Sequence, residues 1–307
     1  MRFFYPSAMP SSSSSTSSSQ PALSQPPPPV SGAVVAFPRP HVLLVTLDRP
    51  RQLNALTHSM HAQLDRLWAW FDAEPSLRCA VVTGSAGGRA FSAGADLKEW
   101  NARNSSASSS AAEDGLLGHG FGGLSNRRGR KPVVAAVNGL CLGGAVEMVL
   151  NADLVVAAAG ARFGLPEVGV GVVAVAGGLP RLARIVGRQR ASEMALLGST
   201  RHTAAQMREW GIVNKVVGDG GGEAQAAAAA VVEEALRWAE RVAANSPDAV
   251  MVTREGLLGA WEAEDPRAST RRVGEGVYAR MEGGENMREG IASFVERRKP
   301  VWKDSKL

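Results

Sequence analysis

Apolar positions follow two rhythms along the chain. Residues 41–47 form a β-branched, leucine-rich run that ends at Asp48-Arg49-Pro50, which predicts a strand closed by a turn. Met60, Leu64, Leu67, Trp68 and Phe71 then recur at helical spacing, and Pro75 closes that helix. Residues 79–83 predict a buried strand ending at Gly84, and 133–137 and 154–158 predict two more. Residues 139–150 predict a helix opened by glycines. Beyond about residue 180 the pattern is helical to the end, and the alanine run 226–230 favours helix by propensity alone. Strand–helix alternation in the first two-thirds predicts an α/β domain, followed by a helical extension. Nothing repeats at a fixed period.

Composition changes this picture at two places. Ser and Pro make up 18 of the first 32 residues, and Arg2 is their only charge. Such a segment cannot bury enough apolar surface to offset its ordering entropy, so 1–32 is expected to be disordered, with order starting near Val34. It lacks the repeated Arg of a transit peptide. Residues 105–110 hold five serines and 127–131 hold four basic residues, so 101–131 reads as a long irregular insertion. The expected division is therefore a core over 33–222 and a helical region over 223–307. Two cysteines, Cys79 and Cys141, exclude a disulfide scaffold. No apolar run approaches the roughly 20 residues of a membrane helix. The net charge of +5 is mild and spread out, and suits a polyanionic small molecule as well as nucleic acid.

Several chemical readings fail. The histidines are His41, His58, His61, His119 and His202. His58 and His61 are three apart, but no carboxylate or Cys completes a metal set, and a surface pair is expected. Gly118, Gly120 and Gly123 match GxGxxG without the flanking strand and helix that a dinucleotide site needs. Two segments remain. FSAGADLKEW (91–100) crowds small residues into a turn before a helix, and NGLCLGGAVEM (138–148) bares the backbone at Gly143 and Gly144. Two N–H donors from such turns could converge on one carbonyl oxygen as an oxyanion hole, although glycine-rich turns are also common without function. Glu147 and Glu167 each sit among apolar residues, where an isolated carboxylate is costly unless paired or protonated. They form either an acid–base pair or two solvent-facing edge residues.

The order LDRPRQLNAL (47–56), AFSAGADLKE (90–99), KPVVAAVNGLCLGGAVEM (131–148), ADLVVAA (152–158), ARFGLPEVGVG (161–171), AAQMREWGIVNKVV (204–217) and FVERRKPVW (294–302) resembles the enoyl-CoA hydratase/isomerase (crotonase) superfamily. The resemblance covers nearly all of 40–307. It implies an α/β fold, a spiral of ββα units followed by a helical trimerisation region, hence a homotrimer or dimer of trimers. It also implies an acyl-CoA thioester substrate and no metal or redox cofactor. By position it implies Ala95 and Gly144 as oxyanion donors. Ala93, Asp96, Leu97 and Lys98 would line the CoA side, and Phe294 and Lys299 would meet the CoA of a neighbouring subunit. Glu147 would activate water and Glu167 would deliver a proton to Cα. Holding both glutamates favours a hydratase over a plain isomerase. Where such hydratases commonly carry PGAGG, this chain has AVAGG (174–178), and Val175 points to a branched or hydroxylated acyl group.

An isomerase, dehydratase or decarboxylase of the same superfamily is the near alternative. An RNA-binding or scaffolding protein is the remote one, resting on the basic cluster at 127–131, which lacks the aromatics for base stacking. Ser305-Lys306-Leu307 reads as a peroxisomal address for an import receptor.

Overall fold

The computed structural model describes residues 22–86, 89–104, 120–218, 224–262 and 265–307. In chain order the first elements are β1 (Ala33–Arg39), β2 (Val42–Leu47), α1 (His58–Ala73), β3 (Cys79–Gly84), β4 (Ala90–Ser92) and α2 (Leu97–Asn104). There follow β5 (Val133–Val137), β6 (Leu140–Leu142), α3 (Gly144–Leu150), β7 (Leu154–Ala158), β8 (Arg162–Gly164), α4 (Gly178–Val186) and α5 (Arg188–Leu196). The rest are β9 (His202–Thr203), α6 (Ala204–Glu209), β10 (Lys215–Val217), α7 (Ala224–Ala243), α8 (Pro247–Trp261), α9 (Pro266–Val273), α10 (Ala279–Met281) and α11 (Glu285–Val295).

Two sheets result. The larger runs β1-β2-β3-β5-β7-β10 and is parallel except for the β1–β2 pair. Its central strands read as continuous apolar runs because both faces are covered. Successive residues alternate between the faces. Ala80, Val82, Ala135 and Val155 join the core shared with α1 and α3, whereas Val81, Val134, Ala136 and Val156 meet Val231, Ala235 and Ala239 of α7. The smaller sheet runs β4-β6-β8-β9. Its first three strands are parallel, with Ala90 opposite Leu140 and Leu140, Cys141 and Leu142 opposite Arg162, Phe163 and Gly164.

Four expectations need correction. Residues 22–32 are placed, not disordered: Val30 is buried, Glu74 accepts from Ser24 N–H (2.9 Å) and Trp70 Nε1 donates to Gln25 O (3.2 Å). The aromatic and carboxylate partners that hold them lie more than forty residues away, beyond the reach of local composition. Residues 1–21 lie outside the described residues. The insertion is also only partly irregular. Its start belongs to α2, 105–119 lie outside the described residues, and Phe121, Leu124, Ser125, Arg127 and Lys131 are buried. Residues 139–150 begin with a strand, β6, before the helix. The C-terminal part is not purely helical, because β9 and β10 complete the sheets.

Candidate active site

Parallel pairing of β4, β6 and β8 makes the chain leave all three strands at the same edge. The segments that follow are Ala93-Gly94-Ala95, Gly143-Gly144, and Leu165 to Glu167. Ligands of open α/β sheets gather at such carboxyl ends. The three turns touch. Gly94 has φ +89°, and a Cβ there would stand 2.8 Å from Leu142 O and 3.5 Å from Gly144 N. Gly143 has φ +57°, its N–H donates to Gly164 O (3.0 Å), and a Cβ there would stand 2.9 Å from Glu167 Oε1. Only glycine tolerates both the dihedral and the crowding.

This geometry leaves two N–H groups available. Leu56 N–H donates to Gly94 O (2.8 Å) and Asp96 N–H to Leu56 O (2.9 Å), a parallel bridge around Ala95. Ala95's own N–H therefore faces away from Leu56. Gly144 is the first residue of α3, so its N–H has no intrahelical acceptor. The Phe121 ring backs Gly144 so closely that a Cβ would stand 2.3 Å from it. His61 backs Phe121 in turn, edge-on at 4.5 Å, and its Nδ1 accepts from Gly122 N–H (3.0 Å). His61 is thus a buried packing residue, not half of a surface pair. Sequence reasoning missed Phe121 because it lies inside 101–131, the stretch read as an irregular insertion. The pairing of Phe121 with Leu124 across two glycines was the available signal.

The two carboxylates flank this turn. Glu147 lies one turn into α3 and is 2% exposed. Gly178 N–H donates to its Oε1 (2.9 Å). Burial pushes the Glu147 carboxyl up to about 7, the N–H groups of Gly178 and Ala176 and the Arg181 charge pull it down, and the nearby Glu167 raises it. Glu167 opens a single 3-10 turn after β8. Burial raises it too, and its Oε2 is enclosed without a hydrogen-bond partner. Both carboxyls are therefore desolvated and poised to exchange protons, which favours the acid–base alternative.

The remaining predicted residues are placed as follows. Ala93 is half-buried and its N–H is spent on Leu53 O (2.9 Å). Asp96 is half-buried and bound to Arg49 (2.9 Å); burial raises its carboxyl, but the Arg49 hydrogen bond and those from the start of α2 bring it below the ordinary value. Leu97 and Lys98 are exposed on the first turn of α2, on the same rim. Phe294 and Lys299 are not brought to the site within one chain: Phe294 is 81% exposed on α11 and Lys299 is exposed beyond it. The basic cluster is engaged internally. Arg127 pairs with Asp72 (2.6 Å), Arg128 with Glu255 and Glu262, Arg130 donates to Asp72 O (2.8 Å), and Lys131 Nζ donates to Phe71 O (2.9 Å). That leaves little free charge for RNA. Among the described residues, no helix is long and apolar enough to cross a membrane, and no cluster of His, Cys, Asp or Glu could hold a metal.

A family model described as enoyl-CoA hydratase/isomerase matches residues 39–305. The chain belongs to the enoyl-CoA hydratase/isomerase family. Members similar to it include the mevalonyl-coenzyme A hydratase SIDH of Beauveria bassiana, 61% identical over 89% of this chain and 95% of that one. The mevalonyl-coenzyme A hydratase sidH of Aspergillus fumigatus is 47% identical over 91% and 97%. Among solved structures, an enoyl-CoA hydratase from Mycobacterium tuberculosis H37Rv superposes with a TM-score of 0.76 at 31% identity, over 89% of this chain and 99% of that one. The family's α/β fold with C-terminal helices is the fold described above, and the relatives are named hydratases, so the expectation of a hydro-lyase holds.

Proposed function

We propose that this enzyme reversibly adds water across the 2,3 double bond of a branched, hydroxylated 2-enoyl-CoA thioester, with mevalonyl-CoA as the hydrated partner. The observation that carries the chemistry is the buried Glu147 together with the half-buried Glu167, whose Oε2 is enclosed, beside the Gly143-Gly144 turn. The names of the two mevalonyl-CoA hydratases support the acyl group, as does the exposed Val175, which stands where the PGAGG run expected from the family resemblance would have glycine.

In the hydration direction, the thioester oxygen lies against the N–H groups of Ala95 and Gly144. Charge developing there is met by dipoles already aimed at it, worth roughly 100- to 1,000-fold per donor. Glu147 takes a proton from water as its oxygen bonds to C3. Glu167 gives its proton to C2. Dehydration runs these steps backwards: Glu167 takes the C2 proton and Glu147 protonates the departing C3 hydroxyl. One of the two carboxyls is protonated at each end of the reaction, and desolvation of both disfavours the doubly ionised state. A plain isomerase needs only the carboxylate at Glu167, so the burial of Glu147 beside it favours the hydratase.

Ala93, Asp96, Leu97 and Lys98 are proposed to line the CoA entry, and Asp96 does so by fixing the start of α2 through Arg49. Phe294 and Lys299 are proposed to complete the CoA site of a neighbouring copy in a trimer. Ser305-Lys306-Leu307 is proposed to direct the enzyme to peroxisomes. The test of the reaction is absorbance of the conjugated thioester during turnover of mevalonyl-CoA. Glu147→Gln and Glu167→Gln are each expected to lower kcat by roughly 100- to 10,000-fold with KM little changed. Full activity in either variant, or wild-type turnover of 3-enoyl-CoA alone, overturns the proposal.

A further inference from the structure

The peptide group joining Gly177 to Gly178 lies between two ionisable side chains. Its N–H donates to Glu147 Oε1 (2.9 Å), and its oxygen accepts from Arg181 Nη1 (2.9 Å). Arg181 is itself held on two further sides. Nη1 also donates to Asn126 Oδ1 (3.0 Å), and Nε donates to Asn151 Oδ1 (2.8 Å). Asn151 caps the C-terminus of α3, the helix carrying Glu147, and its side-chain amide nitrogen donates to Leu124 O (2.7 Å) and Arg127 O (3.0 Å). The guanidinium thus binds both ends of the machinery that presents Glu147: the helix that carries it and the turn whose N–H solvates it.

We infer that Arg181 is a positioning residue for the hydratase reaction, acting on Glu147 through the polarised Gly177–Gly178 peptide rather than by touching substrate. A cation on the carbonyl oxygen strengthens the N–H as a donor, because hydrogen bonds in series polarise one another in a low-dielectric interior. The same cation lies near enough to favour the ionised Glu147 directly. Glu167 opposes it from the other side of the turn. Glu262 and Arg184 are the other charged groups around Arg181, and Glu262 is already paired with Arg128 (2.9 Å). Arg181 is half-buried, and burial lowers its guanidinium from the ordinary value while leaving it the cation of this cluster.

The inference rests on Glu147 taking part in the reaction, so the test reads Glu147 directly. Protein carrying glutamate labelled with carbon-13 at the carboxyl is titrated by NMR, with the Glu147 signal assigned by its loss in Glu147→Gln. In Arg181→Met the Glu147 midpoint is expected to rise by about one unit, a roughly tenfold gain in proton affinity. The acidic limb of the kcat/KM profile for hydration is expected to move with it. Arg181→Lys is expected to restore most of the shift. Arg181→Gln keeps a donor for Gly177 O without the charge and serves if the Met variant does not fold; its midpoint is expected to rise as well. An unmoved Glu147 midpoint in Met or Gln variants that still fold overturns the inference, even if activity falls. A moved midpoint combined with full activity of Glu147→Gln keeps the coupling and overturns the role of Glu147 instead.

Discussion

Glu147 shows how a single carboxyl ties function to stability. Its ordinary value is 4.5, and burial takes it to about 7 in the folded enzyme. Folding therefore favours the protonated form. That contribution is complete below pH 4.5 and is lost as pH rises through 7, because the unfolded chain ionises the group freely. Above pH 7 the deficit amounts to at most about 3 kcal/mol. Glu147→Gln keeps an oxygen for Gly178 N–H and removes the ionisation. The variant is expected to gain stability over the wild type at pH 8 and to match it near pH 4.5, while losing activity at both. Urea unfolding at the two pH values checks this, and an equal stability difference at both contradicts it. In the sequence, the isolation of the two glutamates among apolar neighbours left an acid–base pair and two solvent-facing edge residues equally open, and the desolvation of both favours the first. What surrounds them was not legible: Gly178, Arg181 and Phe121 come from segments distant in sequence, and a single chain of letters carries no sign of which turn supplies the N–H.

Elements matter here because they aim turns. The three parallel strands of the small sheet are only three residues long each, too short to read by period. Continuous apolar runs pointed to β2, β3, β5 and β7 of the larger sheet but not to the seven-residue β1, and they overlooked β6, which merges into the glycine-rich turn before α3. The residues that shape the site therefore stood out as motifs rather than as elements. The short 3-10 turn at Phe121–Gly123 plays an unexpected part. It rests on α1 through His61 and through the bond from Trp68 Nε1 to Gly122 O (3.0 Å), and presses the Phe121 ring onto Gly144. Phe121→Ala is expected to cost about 3 kcal/mol of stability by opening a cavity. It is also expected to lower kcat more than it raises KM, since the donor at Gly144 loses its support while the entry rim is untouched. Denaturant midpoints and steady-state kinetics on mevalonyl-CoA check both parts. A stability loss with unchanged kcat limits Phe121 to packing.

At the scale of the whole molecule, the helical C-terminal region is anchored to the core yet presents apolar surface outward. Arg254 of α8 is buried and reaches Asp153, just before β7 (2.7 Å). Trp302 donates to Ala244 O (2.8 Å), and Asn286 exchanges hydrogen bonds with Lys303 (2.9 and 3.1 Å). Beyond these anchors Leu257, Ile291, Phe294, Val295 and Val301 stand 63–81% exposed. Ile291, Phe294 and Val295 share α11, and exposed apolar side chains on one helix fit the trimer proposed above. A trimer that covers them accounts for the exposure of Phe294 and for the absence of Phe294 and Lys299 from the chain's own site, because each copy would lend them to its neighbour's CoA. The two consequences are separable by experiment. Phe294→Asp introduces a charge that must be desolvated if the face is covered, so the enzyme is expected to dissociate to smaller species by sedimentation. If Phe294 also meets CoA, KM is expected to rise at protein concentrations where the wild type stays assembled. Lys299→Ala should leave assembly intact and raise KM alone, most strongly at low salt where attraction of the CoA phosphates is least screened. Dissociation without any change in KM would confine Phe294 to assembly. An unchanged sedimentation profile would remove both this face from the interface and the neighbour-supplied site with it.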